Sequence, residues 1–502
     1  MARARTSVSL RHVDARRWYS EQPNVTGRGI VAGYSARFWA TVVVLGVLTG
    51  LGAAWLMELL HLVSHLAFGY HRGSFLHGVS RSPDWRRFVA LAIASVVVAI
   101  GVGALGRLGS RGGGTDVSDG LWLRGARLDF LPSVFRAILS IITVGLGSSL
   151  GREGAPQTFG AALATKFAEW SKMPTWQRRL LVACGAGAGF AAVYNVPLGG
   201  AVFALEVLLG SLALPLVLPA LATSVIATAV AWPFLGTGPT YSLPHYTLHP
   251  GQMIWALLAG PVIGVVGIVW VRIVRRASRM RPTGWGRYVA PACVFMALAA
   301  LSLRYPQLLG NGKGIVQLGA LGRLSLGLMV VLLLLKPLAT AACLGSGAPG
   351  GLFTPTLTVG VLLAGILGTV WIHISPGATL GSYAVIGGGA FLAAAMQGPL
   401  SGVVLVLELT RNFDSLMAPT LLAVTEATVV ARRLGAPSIY SARLRPAPDR
   451  PGASTLTQEA IASLDRPDAI PDEDAEAPGG VSVDAGEAAA GDLGGNAGGA
   501  NG

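Results

Sequence analysis

Arg152 and Glu153 are charges placed where charge is costly: they lie inside Gly147-Ser-Ser-Leu-Gly-Arg-Glu-Gly-Ala-Pro156, a glycine-rich break between two long apolar runs. An ionised carboxylate near the middle of a bilayer costs about 2.5 to 3.5 kcal/mol even on lenient insertion scales, so Glu153 should face a polar cavity or partner. Gly151 and Gly154 let the backbone turn and approach a ligand closely, and Pro156 suits the first turn of a following helix. The free N–H groups and positive dipole end of that helix would point back at whatever binds, which makes the break a candidate anion site. The blander alternative is a packing kink in which Arg152 and Glu153 pair only with each other.

A second break, Leu344-Gly-Ser-Gly-Ala-Pro-Gly-Gly-Leu-Phe-Thr-Pro355, has the same make-up. Its glycines expose backbone N–H groups, and Leu352 and Phe353 stand at the start of a helix expected to continue through Thr358 and Val361. An anion held by amides and a helix dipole, with no buried lysine, binds and can still leave. The two breaks also belong to a repeat. A shift of 202 residues superposes Gly185 on Gly387, Gly187 on Gly389, Pro197 on Pro399, Gly200 on Gly402 and Glu206 on Glu408, and a shift of 199 superposes Pro156 on Pro355. Two homologous halves are expected, with Glu206 and Glu408 in a structural pairing role. In transporters built this way the ligand site lies at the midplane between the halves.

The elements that must position these residues are apolar helices. Of 502 residues, 52% are hydrophobic and only 12% charged, and 68 are glycine; with a mean hydropathy of +0.59 this composition describes a polytopic membrane protein rather than a soluble domain. The net charge of +14 does not point to nucleic acid, because the basic residues cluster in short loops beside apolar spans, the pattern that retains a loop on the cytoplasmic side. Cys184, Cys293 and Cys343 are far apart and have neither disulfide nor metal spacing.

Residues 1–37 are arginine-rich without a compact apolar core and read as a cytoplasmic arm. The run from Phe38 to Gly69 is long enough to tilt or project; near its end Glu58, His61 and His65 share one helical face, read as a polar stripe. Arg87–Leu108 gives the next span, then Ser110-Arg-Gly-Gly-Gly-Thr-Asp116 another glycine-rich break, then a span from about Leu131, and then Leu212–Pro233. The loop 235–252 lacks Lys and Arg, whereas Arg272, Arg275, Arg276, Arg279, Arg281 and Arg287 crowd the region after the following span; the first is read as outside, the second as cytoplasmic. Later apolar segments fall at about 288–303, 325–344, 352–373, 383–396, 399–410 and 417–431, several too short to cross a bilayer. Such interrupted helices are tolerated at depth only where loose backbone lines protein or a water cavity. Lys336, before Pro337, reads as a snorkelling side chain or as a source of positive potential at an inner vestibule. Residues 451–502 carry ten acidic groups and one basic, and the Pro-, Ala- and Gly-rich tail has too few apolar residues to fold.

These motifs together resemble the CLC family of chloride channels and proton-coupled chloride exchangers. Gly147–Pro156 is similar to the family's glycine-arginine-glutamate-glycine-proline motif with Ala155 inserted, and Gly351-Leu-Phe-Thr-Pro355 matches its Gly-x-Phe-x-Pro motif. Asn195–Glu206 and Gln397–Glu408 match the paired helices before its dimer contacts, and Ser438-Ile-Tyr440-Ser its C-terminal tyrosine motif. The resemblance covers about 38–444 and implies an all-α polytopic integral membrane protein of two inverted halves with broken helices, about 38–233 and 251–444. It further implies a homodimer through helices around 197–231 and 399–432, in a bacterial inner membrane with both termini cytoplasmic. By the same resemblance Glu153 is the gating carboxylate, and Gly113, Gly114, Thr115, Arg152, Gly154, Leu352, Phe353 and Tyr440 form the anion site, with chloride as substrate and no cofactor. The chain departs from the family at two places. The Gly-Ser-Gly-Ile-Pro motif stands here as Gly112-Gly-Gly-Thr-Asp116, so the serine that caps the anion becomes Gly113. Val207 stands where many exchangers carry the proton-relay glutamate, which favours passive permeation over proton-coupled exchange. A remote reading from another class is a membrane hydrolase using Ser346 with His373 as base.

Overall fold

In the computed structural model, residues 34–108 and 116–444 are described. The basic arm up to residue 33, the expected anion-site residues Gly113, Gly114 and Thr115, and the tail from 445 onward lie outside the described residues. The rest is a bundle of helices. Eight of them, among the described residues, are long and apolar enough to cross a membrane.

In the first half, α1 (Ala36–Phe68), α2 (Phe75–Arg81), α3 (Asp84–Arg107) and α4 (Phe130–Gly145) lead to the first break. They are followed by α5 (Gly154–Trp170), α6 (Thr175–Tyr194), α7 (Pro197–Phe203), which widens into a π-helical turn at Ala204–Leu209, and α8 (Leu214–Leu235). The second half runs α9 (Pro250–Arg279), α10 (Gly286–Arg304), α11 (Lys313–Ala320) and α12 (Leu326–Gly345) up to the second break. Then come α13 (Phe353–Ile374), α14 (Leu380–Met396), α15 (Pro399–Thr410) and α16 (Phe413–Arg433). Helix starts follow the residue chemistry. Ser35 caps α1 by accepting from the Phe38 N–H at 3.2 Å, and His249 and Gln252 form a capping box around Pro250 at the head of α9.

The repeat read from the sequence is visible as matched packing. α5 lies on α6 as α13 lies on α14, and α1 lies on α8 as α9 lies on α16. Small residues permit the first of these contacts: Gly160 and Gly185 approach so closely that a Cβ on either would strike the other's carbonyl. Even unusual backbone is repeated. Asn195 ends α6 at φ 55° and Gln397 ends α14 at φ 58°, while Gly147 and Gly347 open the two breaks at φ 106° and 97°. Asn and Gly tolerate this left-handed region best; Gln397 is held there because α14 must stop before Pro399.

The expected pairing of Glu206 with Glu408 takes the form of crossed caps. The Glu206 carboxylate accepts from the Leu400 and Ser401 N–H groups at 3.0 and 2.6 Å, at the head of α15. Glu408 accepts from the Leu198 and Gly199 N–H groups at 3.2 and 2.6 Å, at the head of α7. Each half supplies the anionic cap for the other half's short helix, where orphan N–H groups and the dipole make it stabilising.

Lys336 behaves differently from the sequence reading. It is fully buried, and its Nζ donates to the Leu308 and Gly310 carbonyls at 3.0 and 2.7 Å. The turn at Gly310, φ 68°, aims two carbonyls inward that need donors, and a long ammonium stem reaches them. Gly310 N–H in turn donates to the Gly147 carbonyl at 3.0 Å, so Lys336 braces the first break rather than snorkelling or facing a vestibule.

Candidate functional site

The two breaks meet. Gly151 and Gly351 exchange both backbone hydrogen bonds at 2.7 Å, as one antiparallel rung. This brings the N-terminal ends of α5 and α13 together deep in the bundle. The turn itself is made at Gly147; Gly151 is glycine for another reason, since a Cβ there or on Gly351 would overlap the Glu153 carboxylate.

Glu153 is 1% exposed and its side chain lies across the rung onto the head of α13. Oε1 accepts from the Phe353 N–H at 2.6 Å. Oε2 accepts from the Tyr194 hydroxyl at 3.0 Å and lies 3.4 Å from the Thr354 hydroxyl, which is 2.5 Å from the Tyr194 hydroxyl. The carboxylate therefore sits where a helix N-terminus and two hydroxyls converge, the environment the sequence predicts for an anion. Arg152 is not its partner. Among the described residues the guanidinium makes no ion pair with a carboxylate within 4.0 Å. It lies over the Tyr194 ring instead, 5.2 Å from the centroid. The reading in which Arg152 and Glu153 merely pair is thereby corrected, because the planar cation finds a ring face while the carboxylate finds donors.

On one side of this cradle lies a cavity lined by Glu153, Gly154, Gly351, Leu352 and Tyr440. Tyr440 is half-buried, its ring edge-on to Phe203 at 5.6 Å. The structure thus brings together Glu153, Gly154, Leu352, Phe353 and Tyr440. Val207 is buried in the π-helical turn beside Gly398 and presents no titratable group; its neighbour Leu208 lines the cavity.

The cavity also holds a charge cluster that the sequence reading did not single out. Asp116 Oδ2 lies 3.1 Å from Arg443 Nη2 and 3.8 Å from Arg136 Nη2, and all three line the cavity. Burial raises the Asp116 pKa, but Arg443 and Arg136 outweigh it and hold the carboxyl below its usual range. Burial and the Asp116 charge push nearby Asp119 up to about 7. The only available signal was Asp116 directly after the glycine-rich break. Tyr194 and Thr354 were missed because one ends an apolar helix and the other fills a variable place in Gly351–Pro355.

Ser346 and His373 are not brought together. The Ser346 hydroxyl donates to the Cys343 carbonyl at 2.8 Å, before α13 begins. His373 Nδ1 is 2.8 Å from the Thr369 carbonyl, at the far end of a helix that spans about 33 Å at 1.5 Å per residue.

Comparison with known proteins bears on the family and the fold. Residues 92–432 match the family model described as voltage gated chloride channel. The ClcB-like chloride channel protein of Ralstonia nicotianae is 34% identical over 66% of this chain and 80% of its own length. The H(+)/Cl(-) exchange transporter ClcA of Yersinia pestis is 27% identical over 71% of this chain and 77% of its own. Among solved structures, that of a slow cyanobacterial Cl-/H+ antiporter superposes with a TM-score of 0.71 at 21% identity, over 86% of this chain and 100% of the other.

Proposed function

The chain belongs to the voltage-gated chloride channel family, the CLC family, and from that premise we propose that it carries chloride across the membrane through the cradle between the two breaks, with Glu153 as gate. The observation that carries this reading is the seat of the Glu153 carboxylate on the Phe353 N–H at 2.6 Å. A carboxylate is itself an anion and competes with chloride for the same donors. Protonation removes its charge and its claim on the cradle, and the path opens.

In this reading Leu352 and Phe353 present the head of α13 to the anion, and Tyr440 closes the cavity side. Arg152 adds positive potential without direct coordination, and Gly113, Gly114 and Thr115 keep the anion-site role that the family resemblance implies. Chloride is the substrate and no cofactor is called upon. Passive, channel-like movement is the mode favoured here, because Val207 offers no proton relay. Proton-coupled exchange is the second reading, supported by the names of the ClcA relatives. The protein is read as a homodimer in a bacterial inner membrane, both termini cytoplasmic, with contacts through 197–231 and 399–432.

The deciding measurement is chloride efflux from liposomes holding the purified protein, with and without a proton gradient. Chloride flux that excludes potassium is expected; cation flux of comparable size would sink the proposal.

A further inference from the structure

The Glu153 carboxylate marks where an anion binds, and two of its donors are side-chain hydroxyls. Tyr194 and Thr354 are 1% and 0% exposed, so their hydroxyls depend on acceptors inside the protein or on whatever enters the cradle. Once the carboxylate leaves, two donors would point into the site: the Phe353 N–H, and one hydroxyl of the Tyr194–Thr354 pair, the other proton being spent on the 2.5 Å link between them. Buried donors left without an acceptor are costly, so the departing carboxylate must be replaced by another acceptor.

The hydroxyls are also held in place. The Tyr194 ring lies 5.0 Å from that of Phe190 and 5.5 Å from that of Phe353, under the Arg152 guanidinium at 5.2 Å. Its carbonyl accepts from the Thr240 hydroxyl at 2.6 Å. Thr354 sits in the first turn of α13, its carbonyl accepting from the Thr358 hydroxyl at 2.8 Å. Neither hydroxyl is a loop group that adapts to its ligand.

We propose that the Tyr194 and Thr354 hydroxyls are ligands of the transported anion and give the site its preference for small, strongly hydrated anions over large, diffuse ones. The proposal rests on the reading of the cradle as the anion path. A small anion surrenders more hydration on entering, so it depends more on concentrated donors; a diffuse anion such as nitrate surrenders less and gains less from each O–H. With the hydroxyls paired, one proton is shared along the Thr354–Tyr194 link and the other is directed at the anion, as it is now directed at Oε2.

The test uses full-length protein in liposomes and the ratio of initial chloride to nitrate flux at one fixed pH. Tyr194→Phe keeps the ring in its stack and Thr354→Val keeps the shape; each removes one hydroxyl, whereas Thr354→Ser retains it. Tyr194→Phe and Thr354→Val should lower the chloride-to-nitrate ratio by about three- to tenfold, the scale of one net intramolecular hydrogen bond, and Thr354→Ser should stay within about twofold of wild type. Ratios within about twofold of wild type in both Tyr194→Phe and Thr354→Val overturn the proposal, and so does a wild type that passes nitrate at least as fast as chloride. If Tyr194→Phe does not assemble, the contrast between Thr354→Val and Thr354→Ser decides alone. A wild type that passes neither anion removes the transport reading itself, and this one with it.

Discussion

Glu153 accepts from donors that would serve any small anion, and the proposed gating makes the residue's protonation and the site's occupancy one equilibrium. Glu153→Gln keeps the shape and loses the charge; flux should persist while most of its pH dependence disappears. Loss of flux through misassembly would instead make Glu153 a structural residue. Gly351→Ala tests the seat from the other side, since the added methyl would overlap the carboxylate. That variant should also lose pH dependence, and a retained wild-type profile would mean that the carboxylate closes the path from another position. Some pH dependence should survive in Glu153→Gln, because Asp119, raised to about 7, gains its negative charge as pH rises through that value and repels anions at the cavity. Flux in Glu153→Gln should therefore fall modestly from about pH 6 to pH 8, and Asp119→Asn added to it should flatten the curve. At this scale the sequence was legible where a residue type was out of place in apolar surroundings, as Glu153 was. Tyr194 and Thr354 are ordinary in apolar helices, and only the meeting of α6 with α13 gives their hydroxyls a common target. Lys336 was out of place and yet misread, since nothing local tells that the Leu308 and Gly310 carbonyls, remote in sequence, need its ammonium.

The short helices α7 and α15 cannot stand alone; isolated helices shorter than about 12 to 15 residues are marginal, and each here takes a cap from the opposite half. Glu206 and Glu408 spend both oxygens on N–H groups of Leu400, Ser401, Leu198 and Gly199. Glu206→Ala or Glu408→Ala should each lower stability by about 1 to 3 kcal/mol, the range of a lost cap or charge-assisted bond, read as a lower thermal transition of the detergent-solubilised protein. The pH profile of flux should not move, and a shifted profile would show that one of these carboxylates serves the proton rather than the helix. Helix positions followed well from hydropathy: the runs expected at 352–373 and 399–410 are α13 and α15 to within a residue. The crossing of the caps did not, because a shift that aligns Glu206 with Glu408 says the two are equivalent without saying that each reaches the other half. The rung between Gly151 and Gly351 is of the same kind, a contact between equivalent positions that only the folded arrangement creates.

For the whole molecule the open question is whether anion movement is tied to protons, and the structure bears on it through what surrounds Val207. Coupling needs a chain of donors and acceptors from Glu153 to the far side, each within hydrogen-bond reach or joined by water. Val207 is buried against Gly398, and no carboxylate takes its place in the π-helical turn: Glu206, one residue earlier, has turned to the head of α15 and holds it with both oxygens. Leu208, one residue later, faces the cavity with an apolar side chain. The cavity does carry another carboxylate, but Asp116 is clamped by Arg443 and Arg136, which favours its charged form and makes it a poor carrier of a proton. The outcome expected under the proposed passive mode is chloride movement with little or no stoichiometric proton counter-transport. It is checked by the reversal potential under a fixed chloride gradient when pH on one side is stepped. A potential that stays at the chloride value supports passive permeation; one that moves with pH by the amount a fixed exchange ratio requires would falsify it. In that event Asp119, rather than Glu206, is the residue to replace first: burial and the Asp116 charge push its carboxyl up to about 7, next in sequence to Ser118 of the cavity wall, whereas Glu206 cannot leave its cap without releasing α15.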